Sequence, residues 1–411
     1  TAEEIKKRQN KQLRLLLNIA SKSYFWNERF NKYNIDISKR NLKNEIKKLP
    51  ILTKEDVKAN LDKILIEDKY LKPFTNYKLR KCSTSGTTGS GLIFSETGES
   101  EAMRWAIWWR YRYLIGLKES TWCAFFGGRT VVSPKVKEPP FWRVNYPCKQ
   151  VLFSTYHISE ETSLFYLREL KKRKFKWIHG YPSSLSLIAY YALKFEIDLG
   201  NNLQIVTTGA ENLLAHQRTL MEKAFNVPIM NHYGQAEGVA NFSQINNDGY
   251  LVDEDYSIVE FIKTENKNKY KVIGTSLYNF AFPLIRYDTQ DIVDIKDNKI
   301  ELENNWREVN NIDGRSEDYL LLNDGAKIGR LDHIFKDLVE VIEAQFVQIN
   351  KGEAELFIVT SSQFSEISLK KLEDLIHEKL GTRIDIKITK VKRIQKSKSG
   401  KLRMVKTKYK I

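Results

Sequence analysis

Between residues 121 and 234 the chain alternates short β-rich runs with helical ones, and no other feature constrains its fold as strongly. TWCAFF (from Thr121), KQVLFST (from Lys149), FKWIHG (from Phe175), LQIVTTG (from Leu203) and PIMNHYG (from Pro228) have the composition of strands. YPSSLSLIAYYALKF and NLLAHQRTLMEKAF have the periodicity of helices between them. Strand–helix alternation predicts a mostly parallel sheet with helices on its faces. Small molecules bind such sheets at the carboxyl ends of strands.

The flanking texture differs. Residues 1–60 read as helices, with Leu13, Leu16, Leu17 and Ile19 on one face. LPILTKEDV, from Leu49, predicts a turn and then a helix capped at Thr53, with Glu55 and Asp56 at its positive end. Residues 250–310 hold short strands with Asn- and Asp-rich turns, which predicts an antiparallel subdomain. After Gly314, EAQFVQI and EAELFIVT predict paired strands, SLKKLEDLIHEKL an amphipathic helix and IDIKITKV a further strand. A chain of 411 residues usually forms more than one core. The expected fold class is α/β, with a large multi-layer domain over 1–314 and a small α+β domain over 315–411.

The formal charge is +16. Such a field favours anionic partners, though a solvated Lys-rich surface accounts for it equally well. Cys82, Cys123 and Cys148 are odd in number and widely spaced, with no Cys-x-x-Cys pair and no His pair at metal-ligand spacing. A disulfide framework or zinc site is not expected, and a reducing cytoplasm fits. No apolar run is long enough to span a bilayer, and the first twenty residues lack the apolar core of a secretory signal. No nucleic-acid-binding motif appears, so no nucleic acid is expected as partner. Nothing in the sequence specifies an oligomeric state.

The stretch richest in chemistry is Ser83-Thr84-Ser85-Gly86-Thr87-Thr88-Gly89-Ser90-Gly91. Glycines let backbone N–H groups turn toward a ligand and hydroxyls add donors, an array suited to phosphate oxygens. No Gly-Lys-Ser/Thr follows, so it is not a Walker loop. On composition alone a flexible Ser/Gly/Thr turn or linker is the commoner reading.

This loop resembles the phosphate loop of the adenylate-forming ligases, and further matches follow in the family's order. Tyr233-Gly234-Gln235-Ala236-Glu237 is similar to the Tyr-Gly-x-Thr/Ser-Glu element. Arg286-Tyr287-Asp288-Thr289-Gln290-Asp291 resembles the segment that ends in a ribose-binding Asp. Asp313-Gly314-Arg315-Ser316-Glu317-Asp318 resembles the hinge, and Ser399-Gly400-Lys401-Leu402-Arg403 the C-terminal Ser-Gly-Lys signature. His179-Gly180-Tyr181-Pro182-Ser183-Ser184-Leu185 and the N-terminal helices look most like the phenylacetate–CoA ligase and CapK branch, whose CapK-type members are associated with capsular polysaccharide gene clusters.

The resemblance implies ATP and Mg²⁺ as requirements and an acyl-adenylate made from a small carboxylic acid. The acyl group then passes to coenzyme A or to an amine or hydroxyl acceptor on a sugar, amino acid or carrier protein. It assigns phosphate binding to Ser85, Gly86, Thr87, Thr88 and Gly89, and Mg²⁺ to Glu237. Asp291 would take the ribose, Tyr233-Gly234 the adenine, with Gly209, Ala210 and Glu211 lining the same pocket. Arg315 would contact ribose or phosphate, Glu317 would serve as hinge for a mobile small domain, and Lys401 would bridge the carboxylate and α-phosphate. Ala236, Gln290 and Glu317 depart from the family pattern without removing a charge that the chemistry needs. A catalytically silent nucleotide- or glycan-binding protein on the same fold is the alternative.

Two further features stand out. Met103–Tyr113 is aromatic and basic, with Trp105, Trp108 and Trp109 on one side of a helix; it suits a helix covering the sheet, or a surface for membrane or saccharide. Trp122, Phe125, Phe126, Trp142, Tyr156 and His157 are candidates for lining an acyl pocket, and His232 for meeting the substrate carboxylate or serving structurally.

Overall fold

The structure is a computed structural model. It describes residues 1–72, 79–83, 92–133, 135–246, 248–266, 268–295, 306–315, 320–323, 327–328, 331–335, 338, 340–395 and 402–407, with backbone only for Ser83, Gly314, Arg315, Lys327, Ile328, Asp332, His333 and Lys379. The chain divides into two compact units. One comprises residues 1–116 and 232–315, the other residues 117–231 and 316–411.

The first unit opens with the helix Ala2–Ala20, whose buried stripe includes Leu13, Leu16, Leu17 and Ile19 as the periodicity predicts. Thr53 caps the helix Lys54–Ala59, and Asp56 reaches back to the Thr53 amide, so the cap anticipated from the sequence is a reciprocal one. The predicted antiparallel subdomain is a meander of Ser257–Lys263, Lys269–Ser276, Tyr287–Asp294 and Asn311–Arg315. Leu52 bridges to its third strand: the Leu52 amide donates to Arg286 O (2.8 Å) and the Asp288 amide to Leu52 O (2.9 Å). The N-terminal helices are thereby tied to the strand that carries Asp291. Trp26, fully buried, adds a second tie by donating Nε1–H to Pro283 O (3.0 Å).

The second unit contains the alternating segment. Trp142–Asn145, Gln150–Phe153, Cys123–Phe126, Trp177–Gly180 and Ile205–Gly209 lie side by side in that order. All pairs are parallel except the edge pair of Trp142–Asn145 with Gln150–Phe153. The helices Glu160–Arg173, Pro182–Lys194 and Ala215–Phe225 supply the apolar faces. Phe126 stacks on Phe153 (4.7 Å between ring centroids) within the core they enclose. The same unit holds the C-terminal residues. There Val341–Asn350 and Glu353–Thr360 pair antiparallel, flanked in parallel by Val405–Thr407 and Asp385–Lys390. The amphipathic helix Glu366–Leu380 packs Leu372 and Leu380 against Phe346 and Leu356. The predicted antiparallel meander and the predicted C-terminal strand pair, helix and further strand are therefore present. No helix among the described residues is long and apolar enough to cross a membrane.

Candidate nucleotide and acid-activation site

Asp291 is placed by an irregular strand. Pairing of Tyr287–Asp294 with Lys269–Ser276 shifts register between Lys271↔Ile292 and Ile273↔Asp288, leaving extra residues to bulge around Thr289 to Asp291. Gln290 takes the left-handed conformation there (φ 62°). The segment satisfies its own amides. Asp288 Oδ1 accepts from the Gln290 N–H (2.8 Å). Thr289 Oγ1 accepts from the Asp291 N–H (3.1 Å) and donates to Val272 O (2.8 Å). A bulge re-aims the side chain that follows it, and such devices are frequent beside active sites.

Asp291, buried, meets the end of the strand Ile229–Gly234. The Tyr233 hydroxyl donates to Asp291 Oδ2 (2.6 Å) and lies 2.9 Å from Gln235 Nε2, which donates to the same carboxylate oxygen (2.8 Å). Tyr233 is stacked on Phe242 (4.7 Å, 20° between planes). A Cβ at Gly234 would stand 2.6 Å from Asn241 Oδ1, so a side chain there would have to displace Asn241. Gln235 escaped the sequence analysis, although it occupies the variable position of Tyr-Gly-x. Residues two apart in extended chain share a face, and that spacing from Tyr233 was the available signal.

The turn after this strand carries Glu237, half-buried. It closes with the Gly238 amide donating to Gln235 O (3.2 Å), and Gly238 adopts φ 67°, which favours glycine. Arg104 stands beside it, fixed by two bonds to Glu96 (2.8 and 2.9 Å). Among the described residues no three His, Cys, Asp or Glu side chains gather to hold a metal. A single carboxylate such as Glu237 fits Mg²⁺ that takes its remaining ligands from substrate phosphates and water.

Beneath Tyr233 lies a polar layer. His232 accepts from Asn241 Nδ2 (3.0 Å) and sits between the rings of Trp108 and Tyr111 (4.9 and 5.1 Å). Burial first, and then the Arg112 charge, push its pKa down to about 3, so the imidazole is neutral. Of the two roles considered, the structure gives His232 the structural one. Asn241 also donates to Asp253 Oδ2 (2.6 Å), as does Ser243 (2.8 Å), and Arg110 bonds Asp253 and Asp255 at 2.7 Å each. The aromatic helix Gly98–Leu114 buries Ile107, Tyr111 and Arg112, while Trp105 stays 45% exposed. The tryptophans stack around Arg112, with Trp109 nearest at 4.7 Å, instead of forming the buried stripe themselves.

In the second unit, Gly209 ends a parallel strand and Ala210 turns the chain with φ 67°. Both oxygens of the Glu211 carboxylate are engaged: Oε2 accepts from the Ser183 amide (3.1 Å) and Oε1 from the Leu402 amide (2.8 Å). Of the acyl-pocket candidates, Phe126 is fully buried core, Trp142 packs against that core, and His157 stacks on Phe141 and bonds Ser154 Oγ (2.8 Å). Packing claims these three because Phe126 and Trp142 lie on strands of the helix-covered sheet and His157 sits in the short helical turn Thr155–His157 against Phe141. The structure thus brings Tyr233, Gln235 and Asp291 together in one unit, and Glu211, Ser183 and Leu402 in the other. Ser85, Gly86, Thr87, Thr88, Gly89, Glu317 and Lys401 lie outside the described residues, and Arg315 is described in its backbone, paired with Asp291.

This architecture is the fold of the adenylate-forming ligases. It is similar to 2-hydroxyisobutyryl-CoA ligase in a postadenylation complex with an acyl-AMP, with a TM-score of 0.73 at 14% identity over 98% of this chain and 90% of that one. It is also similar to anthranilate CoA ligase AuaEII in complex with anthranoyl-AMP, with a TM-score of 0.57 at 15% identity over 82% and 70%. The family model of the CapK C-terminal domain matches residues 320–408. Protein CapK of Staphylococcus aureus is 30% identical over 393 residues, 94% of this chain and 85% of that protein. The chain belongs to the CapK family and has the fold of the adenylate-forming ligases.

Proposed function

We propose that the protein is an ATP-dependent, AMP-forming ligase that activates a carboxylic acid and transfers the acyl group in cell-surface polysaccharide biosynthesis. The observation that carries this reading is the fixed cluster of Tyr233, Gln235 and Asp291 at a strand end, on a chain that has the adenylate-forming fold and a CapK relative.

Residues 1–314 form the adenylation domain and 315–411 the small mobile one. A substrate carboxylate oxygen attacks the α-phosphorus of ATP, the bond to the β-phosphate breaks, and pyrophosphate leaves. The approach brings negative charges together, so the protein must align and neutralise them. Asp291 accepts from the ribose hydroxyls, a task for an ionised carboxylate. Tyr233 stacks on adenine, with Gly234 and the main chain of Gly209 and Ala210 beside it. Ser85, Gly86, Thr87, Thr88 and Gly89 cradle the β- and γ-phosphates. Arg315 contacts ribose or phosphate, and Lys401 bridges the carboxylate and α-phosphate. Glu237 would hold Mg²⁺, which would supply positive charge to the phosphates. Rotation at Glu317 then withdraws Lys401, and a thiol, amine or hydroxyl attacks the acyl carbon, losing its proton as AMP departs. Coenzyme A or an acceptor on a sugar, amino acid or carrier protein fits this second step, and the protein works in the cytoplasm.

The test is acid-dependent pyrophosphate release with ATP, Mg²⁺ and a panel of carboxylic acids that includes uronic and amino acids, run beside Lys401→Ala. Release that one acid triggers and Lys401→Ala slows steeply to a residual rate is the expected result, and a further rise with coenzyme A marks a thioester product. A protein that does not bind ATP overturns the proposal.

A further inference from the structure

We infer that Glu211 is a positioning residue for acid activation: its carboxylate ties the main chain immediately after Lys401 to the start of the helix Pro182–Lys194. This rests on the function proposed above. The resemblance assigns Glu211 only to the lining of a nucleotide pocket, and the geometry gives its side chain a different task.

The first amides of a helix have no acceptor within it, and a carboxylate is favoured at that positive end. Pro182 opens this helix and lacks an N–H, which leaves the Ser183 amide as the first donor, and Glu211 Oε2 accepts it. Glu211 Oε1 accepts the Leu402 amide, 191 residues away in sequence. An ionised carboxylate can serve two donors at once. The chain that leaves Leu402 is held from its other side as well. Gln345 Nε2 donates to Arg403 O (2.8 Å), the Phe346 amide donates to Met404 O (2.7 Å), and Val405–Thr407 then pairs with Val341–Asn350. Ile342, on that same strand, is buried in one cluster with Leu187 and Tyr191 of the helix. The backbone beyond Lys401 is therefore fixed from two directions, and Glu211 supplies the polar tie.

Acid activation needs Lys401 at the reacting groups, whereas transfer follows its withdrawal. Weakening the tie should slow the first half-reaction and spare the second. Glu211→Gln is the informative variant, because an amide offers one acceptor oxygen and turns its NH2 toward the other donor. Acid-dependent ATP–pyrophosphate exchange is expected to fall about tenfold, the worth of one hydrogen bond to a charged group. Acyl transfer from preformed acyl-adenylate should fall far less. Glu211→Gln combined with Lys401→Ala should be no slower than Lys401→Ala alone, because both act through one group. Hydrogen exchange in the peptide covering residues 402–407 should quicken in Glu211→Gln, a readout independent of activity. Glu211→Asp keeps the charge but loses reach, and should also be slow.

The inference is overturned if Glu211→Gln slows both half-reactions alike, if its loss multiplies with that of Lys401→Ala, or if Glu211→Asp restores full exchange. Wild-type protein without any acid-dependent exchange would instead remove the proposed function, and the role of Glu211 with it.

Discussion

Replacing Arg110 by Met removes the cation that faces a buried carboxylate of the first unit while keeping an apolar stem of similar length. Asp253 is 3% exposed and takes hydrogen bonds from Arg110, Asn241 and Ser243. Without Arg110 its charge is left with two neutral donors. Breaking a buried pair by deleting one partner costs about 3–5 kcal/mol, and the surviving donors put this case near the lower end. Guanidinium unfolding followed by tryptophan fluorescence reports the loss; one of the tryptophans, Trp306, carries Arg110 stacked on its ring at 4.8 Å. Arg110→Met combined with Asp253→Asn should recover more than half of the loss, because a buried amide needs no cation; Asp255 retains Arg8 nearby at 3.9 Å.

The pH dependence follows from the same geometry. Burial raises the Asp253 pKa above its usual value of 3.8, outweighing Arg110, Asn241 and Ser243. A raised carboxylate pKa means that ionisation disfavours the fold. The penalty is absent below the unfolded-state value, grows as pH rises past it and is complete above the folded-state value. Loss of Arg110 raises the folded value further. The cost of Arg110→Met should therefore be largest at neutral pH and shrink toward pH 4. A cost under about 1 kcal/mol, the size typical of exposed ion pairs, would refute this account. So would a cost that does not shrink on acidification.

Gly234→Ala should destabilise the first unit and weaken ATP binding together. The added Cβ would stand 2.6 Å from Asn241 Oδ1, and Asn241 is itself tied to His232 and Asp253; thermal unfolding with ATP titration measures both, and wild-type values in each would show that Asn241 yields. His232 should impose an acid limb on stability. Its folded pKa, lowered to about 3 by burial and then by Arg112, lies below the ordinary 6.5, so its contribution is full above that value and is lost as pH falls toward 3. His232→Gln should flatten the urea midpoint over this window, and parallel curves for variant and wild type would contradict the assignment.

Much of the fold was legible because its signals are local. Periodicity of 3.6 or 2, the Thr53 cap and the turn residues act within a few positions, and they marked the parallel segment, the meander and the C-terminal α+β fold. The ordered motifs likewise pointed to Tyr233 and Asp291 through residue type and sequence order alone. Other expectations gave way to packing. Phe126 and Trp142 belong to the core, and His232 is enclosed by rings, because burial depends on which faces the helices cover.

By itself, then, the sequence determined the succession of strands and helices, the family pattern and the chemical types available for phosphate, ribose and carboxylate. Only the tertiary structure decided which of them meet. Gln235 reaches Asp291 across 56 residues through a bulge whose direction no propensity encodes. Arg112 is buried beneath three tryptophans that the helical pattern alone would have turned inward. Glu211 meets the Leu402 amide across 191 residues. Such pairings are set by the register of strands and by the faces that helices bury, and these are properties of the whole chain's packing and not of any local run of residues.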